Sequence, residues 1–121
     1  MSSSARTVFF FGIYLALTGL TLLFAPNVLL GMFDLPETSE VWIRVVGMLA
    51  GYIGFYYIQA ARQELTTFFR LTVYTRSTAI LFFAAFVWLG YAELPLVLFG
   101  VVDFLGAMWT WWALRAEGRA G

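Results

Sequence analysis

Four long apolar stretches make up most of this 121-residue chain and constrain its fold more than any other feature. They run from about residue 7 to 24, 41 to 61, 70 to 92 and 94 to 114. About 20 helical residues cross the hydrocarbon core of a bilayer, so each stretch is long enough, or nearly so, to span it. The alternation of polar and apolar residues that a membrane β-barrel needs is missing. The sequence therefore predicts an all-α membrane protein, a single-domain bundle of four transmembrane helices.

The composition supports this prediction, because 62% of the residues are hydrophobic and only 12% carry a charge. An ordinary soluble domain is about half apolar and about a quarter charged. A chain this short has too high a surface-to-volume ratio to hide so much apolar surface from water. Membrane lipids are therefore the expected surroundings, and no nucleic-acid partner is predicted.

The missing residue types exclude whole classes of chemistry. The chain has no cysteine and no histidine, and all seven of its basic residues are arginines. Thiolate catalysis, iron–sulfur clusters and disulfides need cysteine, while the usual metal sites and serine–histidine pairs need histidine. Schiff-base chemistry needs a lysine. We therefore predict no metal and no cofactor, and the sequence favours a non-catalytic role, since only carboxylate acid–base chemistry is left.

The arginines predict the topology. If the chain crosses the membrane four times, six of them lie on one side: Arg6, Arg62, Arg70, Arg76, Arg115 and Arg119. The other side holds the acidic residues Asp34, Glu37, Glu40 and Glu93, with Arg44 just inside the second helix. Basic residues are retained in the cytoplasm. We therefore expect a multi-pass protein of the inner (plasma) membrane with both termini cytoplasmic.

The connections between the spans differ in length. Residues 25–40 form the only substantial outer segment, in which 28–33 is expected to lie at the interface as a short apolar helix. The inner segment 62–76 is expected to continue as helix. A tight turn at 93–95 joins the third and fourth spans, which must then be antiparallel neighbours.

Two spans carry stripes of small residues that predict close helix packing. The second span has Gly47, Gly51 and Gly54 on one face, and the fourth has Gly100, Gly106 and Thr110. Small residues at such spacings let helix backbones approach closely in lipid. These stripes are interpreted as internal packing of the bundle, and the alternative is that one of them faces a second protomer or a partner subunit.

Asp103 is the most informative polar residue of the sequence. It lies nine residues after Leu94, which corresponds to a depth of about 13 Å. A carboxylate there must pair, contact water or stay protonated. Arg44 and Arg76 compete as its partner, and we favour Arg44 because it shares the glycine face of the second span. The group either fixes helix register as a buried ion pair or binds a proton or ligand.

Arg62 and Arg70 follow the second span and precede the third. Arginines at such positions determine topology and extend to lipid headgroups, so both are predicted to contact headgroups. The functional alternative is recognition of an anionic lipid or a phosphorylated ligand. The aromatic clusters at 9–11, 55–57 and 109–112 are interpreted as interfacial anchors rather than as a quinone, pigment or sterol site.

Two motifs, WIRVVG at 42–47 and GVVDFLGA at 100–107, carry a resemblance that extends over most of the chain. With the segment from Pro26 to Pro36 and the residues around Tyr56 and Ala60, they resemble small four-helix bacterial membrane proteins of uncharacterised families. The resemblance implies the fold and no particular activity. The chain lacks the first-helix glutamate of small multidrug transporters, the signature of fluoride channels and the histidine of the sterol-isomerase-like family.

Three functions follow from these features. The favoured hypothesis is a membrane protein without catalytic machinery that forms an assembly, either with copies of itself or as an accessory subunit of a partner membrane protein. The second is a small transporter or channel that uses Asp103 with Arg44 or Arg76. The third is a protein or enzyme that binds a lipid or another hydrophobic ligand.

Overall fold

The computed structural model describes residues 1–119, and every regular element in that range is helical. The elements are α1 (Ser3–Phe24), α2 (Pro26–Met32), α3 (Val41–Arg62), α4 (Thr66–Trp88) and α5 (Val97–Ala116), with a 3-10 turn at Leu94–Leu96 before α5. Four of them, counting that turn with α5, are long and apolar enough to cross a membrane. The predicted all-α fold with four membrane-spanning helices is confirmed.

The third spanning helix begins and ends four residues earlier than the predicted 70–92. It begins at Thr66 because Glu64 adopts a φ of 53°, in the left-handed region, and so interrupts the helix before that residue. It ends at Trp88 because Gly90 adopts a φ of 82°, and the Tyr91 N–H donates to the Phe86 carbonyl at 2.8 Å. This is a glycine-terminated helix end of the Schellman type. Both ends of α4 therefore lie four residues closer to α3 in the sequence than predicted.

The outer segment contains the short helix predicted there. It begins at Pro26, directly after Ala25 ends α1, and runs to Met32. Proline suits the first turn of a helix, because its fixed φ is helical and its missing N–H has no intrahelical acceptor to lose. Phe33 then packs on Phe99 of α5, with 4.6 Å between the ring centroids, so the outer segment contacts the fourth span.

The antiparallel helices α1 and α3 are in backbone contact. A Cβ added to Gly19 would lie 2.5 Å from the Gly51 nitrogen, and one added to Gly47 would lie 2.5 Å from the Leu23 nitrogen. Gly54 meets the backbone of Ala16 in the same way, at 2.7 Å. In lipid, such contacts supply van der Waals packing that larger side chains would prevent. The glycines of α3 therefore pack α3 against α1.

The second antiparallel pair, α4 and α5, packs against α1 mainly through α5. A Cβ on Gly100 would lie 2.7 Å from the Cα of Ile80, so these two helices also approach closely. Helix α3 touches α4 through few residues, among them Tyr57, whose ring meets Phe68 edge-on at 5.4 Å. The buried core lies in one half of the bundle and includes Val8, Phe11, Ala61, Phe69, Ala107 and Leu114.

The buried core lies towards one end of the molecule, which we call the arginine-rich end. This end carries five arginines: Arg6, Arg62, Arg70, Arg115 and Arg119. Here Glu64 accepts hydrogen bonds from the Ser2 nitrogen (2.7 Å) and hydroxyl (2.6 Å). Glu117 accepts from the Ser4 nitrogen (2.7 Å) and hydroxyl (2.8 Å). Carboxylates suit the start of a helix, where unpaired N–H groups and the helix dipole attract negative charge. The first helix is thereby fixed to the α3–α4 turn and to the end of α5.

These contacts lower the pKa values of both glutamates from the usual 4.5. For Glu64 the Ser2 hydroxyl is the largest cause. For Glu117 partial burial acts to raise the pKa, but hydrogen bonds from Ser4 and the charge of Arg119, 2.9 Å away, outweigh it. A lowered pKa stabilises the fold above the unfolded-state value, and this contribution is lost as pH falls through the folded-state value.

We therefore predict that thermal stability in detergent falls as the pH is lowered from about 5 to about 3. The double variant Glu64→Gln, Glu117→Gln should start less stable and lose most of that dependence. Glu37→Gln, in the exposed outer segment, is the matched control and should titrate like the parent protein. An equally steep acid transition in the double variant would contradict the assignment.

The glycine contacts give a second prediction with a control on the same helix. Gly47→Ala forces the backbones of α1 and α3 apart and should destabilise the fold by about 1–3 kcal/mol. Gly51→Ala should be neutral or slightly stabilising, because its added Cβ would meet no atom within 4 Å and alanine favours helix. Reversible unfolding in mixed micelles measures both, and equal losses in the two variants would contradict the packing described here.

Candidate functional site

The strongest polar centre inside the membrane-spanning region is the guanidinium of Arg76. Arg76 lies ten residues into α4, about 15 Å along its axis, and is 4% exposed. Its Nη2 donates to the hydroxyls of Thr72 (3.0 Å) and Thr110 (2.8 Å), and its Nε donates to the Thr72 carbonyl (3.3 Å). All of these acceptors are neutral, so its charge has no direct counter-ion among residues 1–119.

The hydrogen bonds continue from Arg76 into the first helix. The hydroxyls of Thr110 and Thr7 lie 2.7 Å apart, and the Thr7 hydroxyl also lies 2.7 Å from the Ser4 carbonyl. Both threonines are almost completely buried. The network therefore joins α4, α5 and α1 by polar contacts among buried side chains, and such contacts are strengthened by a low local dielectric.

Two aromatic rings lie against the same guanidinium. The Cζ atom of Arg76 is 4.6 Å from the ring centroid of Phe11 and 5.6 Å from that of Tyr57. A cation over an aromatic face is attracted by the ring quadrupole, and the attraction is larger when the cation is desolvated. Phe11 and Tyr57 thus partly compensate the buried charge from α1 and α3.

One nitrogen of the guanidinium has no acceptor. Nη1 of Arg76 is buried and makes no hydrogen bond to any residue from 1 to 119. It lies beside Gly106 of α5, where an added Cβ would be 3.3 Å from it and 2.7 Å from the Phe11 ring. Because Gly106 has no side chain, the guanidinium of Arg76 and the ring of Phe11 can lie directly against α5 at this position.

Asp103 lies one turn from Gly106 on α5 and is partly buried. It is within electrostatic range of Arg76, Tyr14 and Tyr57. Within residues 1–119 it forms no ion pair closer than 4.0 Å and receives no hydrogen bond from another side chain. The carboxylate and the free nitrogen of Arg76 are therefore neighbours that do not touch.

The preference for Arg44 as the partner of Asp103 is wrong in this structure. Arg44 is exposed at the outer end of α3, and its Nη1 donates to the Leu23 carbonyl in the last turn of α1, at 2.6 Å. A cation suits the end of a helix, where carbonyls lack intrahelical donors. Arg76 lies nearer to Asp103 instead, because α4 begins at Thr66 and Arg76 is therefore further inside the spanning helix than in a helix starting at Arg70.

The other predicted residues lie apart from this centre. Arg62 is exposed at the end of α3, while Arg70 is partly buried and donates to the Arg119 carbonyl at 3.1 Å. Gly47 and Gly54 pack against α1, and Gly100 packs against Ile80. Gly51 faces α1 with its backbone, but its open side forms part of a groove. Only Arg76, Asp103, Gly106 and Thr110 come together.

Sequence reasoning missed the residues that hold the guanidinium. Thr7, Thr72, Phe11 and Tyr57 were not singled out as site residues, yet all four contact Arg76 directly or through Thr110. Thr72 stands four residues before Arg76, on the same helix face, which is a signal that the sequence did contain. Thr7 and Phe11 lie on another helix, so no local spacing relates them to Arg76.

Comparison of the chain with protein-family models, with curated proteins and with solved structures finds no match in any of the three. The fold and the site define the class by themselves: an all-helical protein with four membrane-spanning helices and an arginine buried among them. Among residues 1–119 no three acidic side chains cluster as metal ligands would.

The buried network predicts the effect of removing one acceptor. Thr110→Val keeps the shape of the side chain but leaves Nη2 of Arg76 and the hydroxyl of Thr7 each short of a partner. We expect a loss of about 1–3 kcal/mol in unfolding free energy. Thr78→Val is the control, because the exposed Thr78 hydroxyl bonds only to its own helix, at the Thr75 carbonyl. Equal stability of the two variants in micelles would contradict a structural role for the network.

Proposed function

We propose that this chain is a non-catalytic subunit of a larger membrane assembly, built first of all from copies of itself. It would lie in the inner (plasma) membrane with both termini in the cytoplasm, since the arginine-rich end carries five of the seven arginines. The proposal includes membership of the uncharacterised four-helix bacterial families that the sequence resembles. The observation that carries it is the position of Tyr52.

Tyr52 lies in the middle of α3, eleven residues after Val41 and ten before Arg62, or about 16 Å from either end. Its side chain is on the outside of the bundle, and the residue is 56% exposed. Tyrosine is enriched at the membrane interfaces, where its hydroxyl meets water or headgroups. A phenol facing hydrocarbon without a hydrogen-bond partner is costly, so its position favours a covering protein surface.

A groove next to Tyr52 offers a helix a place to pack. It measures about 440 Å³ and runs along the contact between α1 and α3. Its lining is Ala16, Gly19, Leu20, Leu23, Gly47, Met48, Gly51 and Tyr52. The alanine and the three glycines in this lining are small residues of the kind that let a further transmembrane helix approach closely.

The second copy is favoured over another partner by the order of residues on this face. Gly51 is open and Tyr52 projects, so that a recess and a ridge stand side by side on α3. Two copies related by a two-fold axis bring the ridge of each to the recess of the other, as in the isologous interfaces of most dimers. The tyrosine hydroxyl would then find a backbone or side-chain acceptor in the other copy.

A second candidate function is a small transporter or channel that uses Asp103 with Arg76. The specific observation in its favour is that, among residues 1–119, the buried Nη1 of Arg76 has no hydrogen-bond partner and Asp103 receives no hydrogen bond. It does not exclude assembly, because the groove and this centre lie on different sides of α1.

The chain contains no cysteine, so a single introduced thiol tests the assembly cleanly. In native membranes, Met48→Cys in the groove should give a dimer with a short bismaleimide cross-linker, in several-fold higher yield than Leu81→Cys. Leu81 is the matched control because it is an exposed apolar residue on α4, remote from the groove. Adding Tyr52→Phe removes two hydrogen bonds from a two-fold symmetric dimer and should weaken dimerisation about 30-fold, since each hydrogen bond between helices in lipid contributes about 1 kcal/mol.

Equal yields from the two cysteine positions would exclude the groove as the interface between copies. A cross-linked product of different mass, identified by mass spectrometry as a second polypeptide, would instead make the chain an accessory subunit of that protein.

A further inference from the structure

Arg76 and Asp103 carry complementary, unfilled hydrogen-bonding capacity within the membrane-spanning region. Nη1 of Arg76 has N–H groups without an acceptor, and the Asp103 carboxylate receives no hydrogen bond within residues 1–119. A bare carboxylate inside a bilayer is strongly disfavoured, so that it takes up a proton or finds a donor. A buried guanidinium with a free N–H likewise needs an acceptor. Asp103 can supply the acceptor that Nη1 of Arg76 lacks, and the charge of Arg76 can stabilise the ionised Asp103.

The threonines explain why the two groups do not close into an ion pair. A helical side chain leans towards the start of its own helix, so the guanidinium of Arg76 extends towards the arginine-rich end. There Thr72 and Thr110 hold Nη2 and Nε. Asp103 lies seven residues before Thr110 on the antiparallel helix, about 10 Å further from that end. Nη1, beside Gly106, is therefore left for Asp103.

We propose that Asp103 is a reversible proton-binding site, and that the charge of Arg76, whose Nη1 lies beside Gly106 one turn from Asp103, stabilises its deprotonated form. On release, the carboxyl O–H bond breaks, the electron pair stays on the carboxylate and the proton passes to water. Because guanidinium stays charged at any ordinary pH, only the aspartate changes its charge.

The other titratable groups that face Asp103 are Tyr14 on α1 and Tyr57 on α3. Both are phenols, which near neutral pH are uncharged and serve as donors or acceptors. Arg76 on α4 is therefore the one fixed charge among the facing groups of residues 1–119. The charge of the centre switches between +1 with Asp103 protonated and zero with Asp103 ionised.

A fixed ion pair and a permanently protonated acid are the two competing descriptions. A fixed pair would keep the carboxylate ionised at every pH, and a permanent acid would never release its proton. The proposal differs from both, since it requires a titration that the charge of Arg76 controls.

The chain itself makes this titration easy to observe, because Asp34 and Asp103 are its only aspartates. Protein labelled with aspartate carrying ¹³C at the side-chain carboxyl, in the variant Asp34→Asn, has one labelled carboxyl group. Asp34 has a φ of 54°, a conformation that asparagine also tolerates. The variant, reconstituted in lipid vesicles, is titrated from about pH 4 to about pH 9 by ¹³C spectroscopy of that carboxyl.

We expect one reversible transition of the labelled carboxyl within this range. Arg76→Gln should move its midpoint to higher pH by at least about one unit, because the ionised form loses the cation that faces it among residues 1–119. Arg44→Gln is the matched control and should leave the midpoint unchanged, since Arg44 bonds to Leu23 at the outer end.

A carboxyl group that stays ionised or stays protonated throughout would overturn the proposal, and this part needs no change at Arg76. An equal midpoint in the Arg76 and Arg44 variants would overturn the role given to Nη1. If Arg76→Gln fails to fold, Thr110→Val is the second variant: it removes one of the two hydroxyls that hold Nη2, so that the guanidinium can move towards Asp103 and the midpoint should fall. A midpoint that does not move in Thr110→Val would count against the control of this titration by Arg76.

Discussion

A guanidinium buried between helices is the constraint on which the polar interior of this protein depends. Arg76 cannot lose its charge, so the bundle supplies it with threonine hydroxyls from two helices and aromatic faces from the other two. These contacts join all four spanning helices. The same contacts hold the guanidinium away from Asp103, which leaves a cation and a carboxylate close together but separate.

The glycine contacts between α1 and α3 determine the outer surface in a similar way. Because Gly19 and Gly47 bring the two backbones together, α3 is held mainly by one neighbour and presents its other sides outward. Tyr52 is exposed in mid-helix as a result. The small residues of α3 thus serve both purposes. Gly47 packs against α1, and Gly51, whose open side faces outward, lines the candidate docking groove.

The local features of the fold were predictable from residues close together in the sequence. The apolar stretches predicted four helices, and the apolar residues 28–33 predicted the short outer helix, because both signals act over a few residues. The exact start of α4 was not predictable in this way. It depends on Glu64, whose left-handed backbone is held by hydrogen bonds to Ser2, 62 residues away.

The sequence by itself determined that the chain is a four-helix membrane protein, since hydrophobic length and the positions of charges are local properties that a bilayer reads directly. It also identified Asp103 as an intramembrane acid. Only the tertiary structure decided that Arg76 and not Arg44 lies beside it, and that Thr7, Phe11 and Tyr57 surround the guanidinium. The physical reason is that helix rotation and contact follow from close packing among all the helices together, whereas depth and spacing constrain each helix alone.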